Sequence, residues 1–270
     1  VTVCIAAIDP TLETIVTVSD TMLSNEFASA DLSTVKFQPL NQHLRWFAMY
    51  SDNPSTFTAV HRHAERLLSH TSRASVDEVK SAIKYGYLME IETMVADTLR
   101  FCATRTRQDF EARGLQMLGE STFERKHKEL EELKLDLDLL VFGFDDARLP
   151  HLFSVDGTGK CFEHAADRIG IIGAGKFTAL EVLNIRREHT SATTTEDAVL
   201  ELCEAKFFAE RVPFVGQSTF VFILHSDGRR QWMFGEPTRK LKKLWLRRVT
   251  QKPSRSAREI VRTGLKDWSY

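Results

Sequence analysis

Residues 2–20, TVCIAAIDPTLETIVTVSD, decide how this chain is read. β-Branched and apolar side chains fill both ends of the stretch, and DPTLE at 9–13 supplies a turn between them, so two antiparallel strands are expected. The expected hairpin begins on Thr2 and ends on Asp20, which raises the question whether Thr2 is meant to be the first residue of the working protein. The strand character continues outward in STVKF (33–37) and LRWFAMY (44–50).

A helix is expected from about Pro54 to His70, and another from Ser75, where SVDE has the Ser-x-x-Glu spacing of a capping box. Val79, Ile83, Tyr87, Ile91 and Val95 recur every fourth position and mark its buried face. STFE at 121–124 offers a second capping box ahead of the charged run ERKHKELEELKLD, so a protruding helical arm is expected over about 103–134. Strands return in LDLLVFGF (137–144), HLFSVDGTGKCFE (151–163) and DRIGIIGAG (167–175). Helices are expected over KFTALEVLNIRRE (176–188) and TTEDAVLELCEAKFFAERV (194–212), then a strand pair over 218–236 turning at Asp227-Gly228. Strands and helices in segregated blocks argue for an α+β protein with helices packed on antiparallel sheets. A four-layer αββα sandwich fits, with a main domain over 1–238 and a basic extension over 239–270.

The chain has 270 residues, 43% of them hydrophobic and 27% charged, which is ordinary globular composition. No apolar run approaches the roughly eighteen residues of a membrane helix, and the start lacks the basic flank and cleavage site of a secretory signal. A cytoplasmic protein is expected. Cys4, Cys102, Cys161 and Cys203 stand far apart with no metal-ligand spacing, and His61 and His63 point to different helical faces, so neither a metal nor a cofactor is expected. Net charge is −1, but 239–270 carries +9, leaving −10 on the rest. KLKKLWLRRV (240–249) sets Leu241, Leu244 and Trp245 on one side of a helix among cations, a face able to dock on a subunit, a membrane surface or RNA; the neutral total gives no preference for nucleic acid.

GIIGAGKFT (170–178) nearly spells a phosphate-binding loop, with Gly170, Gly175 and Lys176. Phe177 occupies the position of the metal-binding hydroxyl, and a true loop follows a buried parallel strand. A glycine turn between strand and helix accounts for the same residues, and nucleotide binding is the lesser reading.

The order of elements resembles the proteasome β-subunit family of N-terminal nucleophile hydrolases, which includes HslV and other bacterial proteasome homologues. The resemblance runs from Thr2 to about Gly235. It rests on the threonine-led strand, TVSD ending at Asp20, VKF carrying Lys36 sixteen residues later, FAMYSD (47–52), LLVFGFDD (139–146), LFSVDGTG (152–159) and IGIIGAGKFTALEVL (169–183). It implies the sandwich fold of that type and threonine peptidase activity in a homo-oligomer, ring-shaped in the fullest case, with a peptide or protein substrate and an ATP-dependent unfoldase as a possible partner. Thr2 is then the nucleophile, Lys36 the cation beside it, Asp20 the holder of Lys36, and the backbone N–H of Tyr50 the oxyanion donor.

The chemistry follows from the residue types. A threonine hydroxyl needs a base, and a neighbouring α-amine of ordinary pKa roughly 7.7–8.0 supplies one near neutrality, provided that Thr2 comes first. Val1 would block it. If the gene starts with GTG, the valine is an initiator methionine, which is normally excised before a small residue such as Thr, and Thr2 is then expected to come first. The chain also departs from the family pattern. Ala174, Val212 and Val215 stand where polar partners support the amine, Tyr50 replaces a glycine, and Ser51, Asp52 or Ser218 would have to compensate. The alternative is therefore a catalytically inactive relative kept as an assembly or binding protein.

Overall fold

The computed structural model describes the chain apart from residues 1, 10, 12, 25–28, 32–35, 42, 44, 70, 72–73, 101, 103–105, 190–192, 248–254 and 268–270. Val1, and with it the block on the amine of Thr2, lies outside the described residues. The hairpin expected at the start is formed by β1 (Cys4–Ile8) and β2 (Thr14–Ser19), paired antiparallel from Cys4 opposite Ser19 to Ile8 opposite Ile15. Asp9 organises its turn, accepting hydrogen bonds from the backbone of Glu13 and Thr14 and from the hydroxyls of Thr11 and Thr14. A short hairpin of β3 (Met22–Ser24) and β4 (Ser29–Asp31), which the sequence patterns did not suggest, follows Asp20.

Two antiparallel sheets carry the fold. The first comprises β5 (Phe37–Pro39), β6 (Trp46–Asp52), β7 (Leu137–Phe144), β8 (Pro150–Val155) and β9 (Cys161–Glu163), in that spatial order. The second joins β1 and β2 to β10 (Ile169–Ile172), β11 (Phe220–His225), β12 (Arg230–Phe234) and β13 (Lys266–Asp267), in the order β10-β1-β2-β11-β12-β13. Strand side chains alternate between faces, and here both faces are covered, so the strands read as continuous apolar runs. Cys4, Ala6 and Ile8 of β1 point between the sheets with Phe47, Met49, Phe142 and Phe222, while Val3, Ile5 and Ala7 point outward to helices.

Helices α1 (Pro54–Leu68) and α2 (Val76–Leu99) cover the first sheet. The Ser75 capping box forms as expected, the Ser75 hydroxyl accepting from the Glu78 N–H and the Glu78 carboxylate from the Ser75 N–H. The expected arm is α3 (Arg107–Leu118) and α4 (Glu120–Glu131), rooted on α2 by Val95, Leu99, Phe110 and Leu130. Its second helix starts earlier than STFE predicts. Gly119, at φ 73°, ends α3 and begins α4 at once, which leaves Ser121 inside the helix and not at its cap.

The second sheet is covered by α5 (Lys176–His189) and α6 (Thr195–Ala209), and also by α7 (Glu236–Arg247) and α8 (Arg255–Gly264). The stretch expected as a basic extension is thus folded over 239–247 and 255–267. Leu241, Ala257 and Val261 are buried in the same core as α6, and β13 pairs with the edge strand β12. Most of the described cations lie on the exposed faces of these amphipathic helices, whereas Lys242 turns inward to pair with Glu210. The result is the expected four-layer αββα sandwich. No helix among the described residues is long and apolar enough to cross a membrane.

Candidate active site

Thr2, Asp20 and Lys36 meet at one end of the second sheet, beneath the edge of the first. Thr2 immediately precedes β1, Asp20 follows β2, and the hairpin register brings both to the same end, where the Asp20 N–H donates to the Val3 carbonyl at 3.3 Å. Lys36 enters from just ahead of β5, on the other sheet. Its Nζ lies 3.0 Å from Asp20 Oδ1, with both side chains essentially inaccessible to solvent. The same Oδ1 accepts a hydrogen bond from Thr2 Oγ1. Asp20 Oδ2 accepts from the Gly216 N–H at 2.8 Å, so both carboxylate oxygens are used. A buried ion pair survives the loss of water only when such additional hydrogen bonds complete it.

Cys4 lies beside the cluster, its thiol donating to the Tyr50 carbonyl at 3.4 Å. Burial raises its pKa far above the ordinary thiol value, with the positive charge of Lys36 opposing. Burial thus disfavours the thiolate of Cys4. Tyr50 stands on β6 with its ring stacked on Phe57 at 4.2 Å, in the core facing α1 and away from Thr2. Its phenol is raised to about 12 by burial first and the neighbouring Cys4 second. The Tyr50 N–H donates to the Lys36 carbonyl at 3.2 Å.

The glycine-rich turn after β10 closes the site from a third side. β10 pairs antiparallel with β1, which is not the parallel setting of a phosphate loop, and the glycines serve close packing. A β-carbon on Gly173, at φ 90°, would stand 2.2 Å from the Thr2 carbonyl oxygen, and one on Gly170 2.5 Å from Leu140 Cδ1. The Gly175 N–H donates weakly to the Thr2 carbonyl at 3.4 Å. Ala174 sits in this turn, and Val215 packs against Gly175. Of the polar residues considered as substitutes, Ser51 donates to Asp52 at 2.9 Å and Ser218 presents its carbonyl to Lys206. Asp138, opposite Ser51 on β7, has its carboxyl raised by burial first and by the charge of Asp52 second, while Lys176 opposes.

Two participants escaped sequence reasoning. Gly216 touches Asp20 through its backbone alone, which no residue type announces. Lys206 is fully buried on α6, and its Nζ donates to Glu210 Oε1 at 2.6 Å and to the Gly216 and Ser218 carbonyls at 2.8 and 2.9 Å. A signal for it existed: a lone cation in LELCEAKFFA, flanked by mostly apolar side chains, demands a partner if it is buried.

No family model matches the chain, and no curated protein matches it. Among solved structures it is similar to a Gly-1 mutant of Anbu from Hyphomicrobium sp. strain MC1, with a TM-score of 0.62 and 14% sequence identity over 92% of this chain and 96% of that one. These findings correct the expected place beside the proteasome β-subunits and HslV, since weak motifs in a shared order do not amount to a match with a known family. What the likeness to Anbu shows is a shared fold, the α+β sandwich of two antiparallel sheets covered by helices, and a fold of one type carries sites of many kinds.

Proposed function

We propose that the protein is a threonine-type hydrolase of amide bonds, acting on peptides, with Thr2 as its nucleophile once it is the first residue. The observation that supports this reading best is the convergence of the Thr2 hydroxyl and the Lys36 ammonium on one buried oxygen of Asp20. Thr2 Oγ1 attacks the carbonyl carbon and its proton passes to the α-amine. The C–N bond then breaks, the leaving nitrogen takes that proton, and water hydrolyses the resulting ester to restore the hydroxyl. Lys36 stabilises the developing alkoxide by its charge, and Asp20 holds Lys36 and Thr2 together. The Tyr50 N–H is the candidate oxyanion donor, on condition that the substrate oxygen displaces the Lys36 carbonyl from it. The expected working form is a closed homo-oligomer.

Two observations favour a second reading, a non-catalytic assembly or binding protein: Thr2 is wholly enclosed, and the Tyr50 N–H is already engaged. Intact-mass spectrometry separates the two. After exposure to a peptidyl β-lactone, which acylates a nucleophilic hydroxyl by ring opening, the hydrolase reading expects a protein beginning at Thr2 and heavier by one lactone, with the adduct on Thr2 and absent from Thr2→Ala. A protein that begins at Thr2 and takes up no lactone, or a Thr2→Ala variant labelled equally, overturns it.

A further inference from the structure

We infer that Lys206 is a positioning residue that sets the orientation of the Asp20 carboxylate without touching it; its consequence for activity rests on the reading of Thr2 as nucleophile. Gly216 is the link. Its N–H donates to Asp20 Oδ2 at 2.8 Å while its carbonyl accepts from Lys206 Nζ at 2.8 Å. The Ser218 carbonyl and Glu210 Oε1 take the remaining two donors of the ammonium, so one buried cation ties the end of α6 to Gly216 and Ser218 in the 212–219 loop. Glu210 is shared in turn with Lys242 of α7. Burial pushes the Lys206 pKa down, and the Glu210 carboxylate, with Asp20 behind it, draws it back toward the charged form.

Two of the three donors of Lys206 are aimed at the segment that carries the Asp20 contact. Asp20 Oδ1 is shared between Thr2 and Lys36, so the direction of its carboxylate is decided at Oδ2, by the Gly216 N–H. The loop has no helix or strand, only a turn in which the Val215 N–H donates to the Val212 carbonyl at 3.3 Å, and Phe214 within it adopts φ 70°. Its conformation therefore depends on what holds its carbonyls. Lys242 on α7 extends the link to the basic C-terminal region, which becomes part of the support of the site.

The test compares wild type with Lys206→Met, and with Glu210→Gln as a milder variant that leaves the lysine in place. Two quantities are measured: hydrogen exchange at the assigned Gly216 amide, and the inactivation constant of a peptidyl β-lactone separated from its binding constant. Lys206→Met is expected to speed Gly216 exchange at least tenfold with α1 amides unchanged, and to slow inactivation about tenfold at unaltered lactone binding. Glu210→Gln is expected to move both in the same direction by a smaller factor, and decides the matter alone if Lys206→Met does not fold. Unchanged exchange at Gly216 overturns the inference, and so does faster exchange with an unaltered inactivation constant. A wild type inert to the lactone overturns the hydrolase reading instead, and Gly216 exchange then decides the positioning role by itself.

Discussion

At the residue scale the site is defined by close approach. Gly173 combines a left-handed backbone with a position where a β-carbon would overlap the Thr2 carbonyl oxygen, so Gly173→Ala is strained on both counts. It is expected to destabilise the fold by about 2 kcal/mol or more, measured as a lower denaturation midpoint in urea. Asp138 gives a prediction with a defined sign. Its carboxyl is raised by burial and by Asp52, so the folded state holds the proton over a pH range where the unfolded state has released it. Stability contributed by this group therefore falls as pH rises from about 4 through the raised value, and the penalty is complete above it. Asp138→Asn is expected to have the higher melting temperature at pH 7, with the gap closing near pH 4; a gap independent of pH overturns the assignment.

At the scale of elements, the segment read as a basic extension is the instructive case. Charge dominates the composition of 239–270, yet the apolar residues at helical spacing decide its fate. Leu241 is 3% exposed, and Leu244 and Trp245 pack on the same core, with Trp245 against Phe207 and Phe208 of α6. Leu241→Ala is expected to cost about 2–3 kcal/mol in a denaturant titration, the penalty of a core cavity. A change below about 0.5 kcal/mol, typical of an exposed site, would mean that α7 does not pack there. Helix boundaries followed local chemistry where a side chain supplies the cap, as at Ser75. They departed from it where a glycine conformation supplies the break, as at Gly119.

At the scale of the molecule, the two sheets are held face to face by an aromatic layer, in which Phe222 lies 4.6 Å from Phe37 and 5.1 Å from Phe47, ring centre to ring centre. Phe37 directly follows Lys36, so this layer also carries Lys36 toward Asp20. Phe222→Ala is expected to cost about 3–5 kcal/mol and to lower the rate of Thr2 acylation in the protein that remains folded, whereas a loss of stability with an unaltered acylation rate would separate the aromatic layer from the site. Alternating or continuous apolar runs, turn residues and one capping box were enough to place nearly all the strands and helices and the four-layer order, because burial of period-two and period-four patterns has few solutions. Thr2, Asp20 and Lys36 were singled out in the sequence by the resemblance to the proteasome β-subunits and their spacing within it, since each alone reads as an ordinary strand or turn residue. That they meet on one carboxylate oxygen depends on the register of β1 with β2 and on the stacking of one sheet over the other. The role of Lys206 and Gly216 was decided only by tertiary structure, because it runs through backbone N–H and carbonyl groups that every residue shares and whose partners only the folded chain selects.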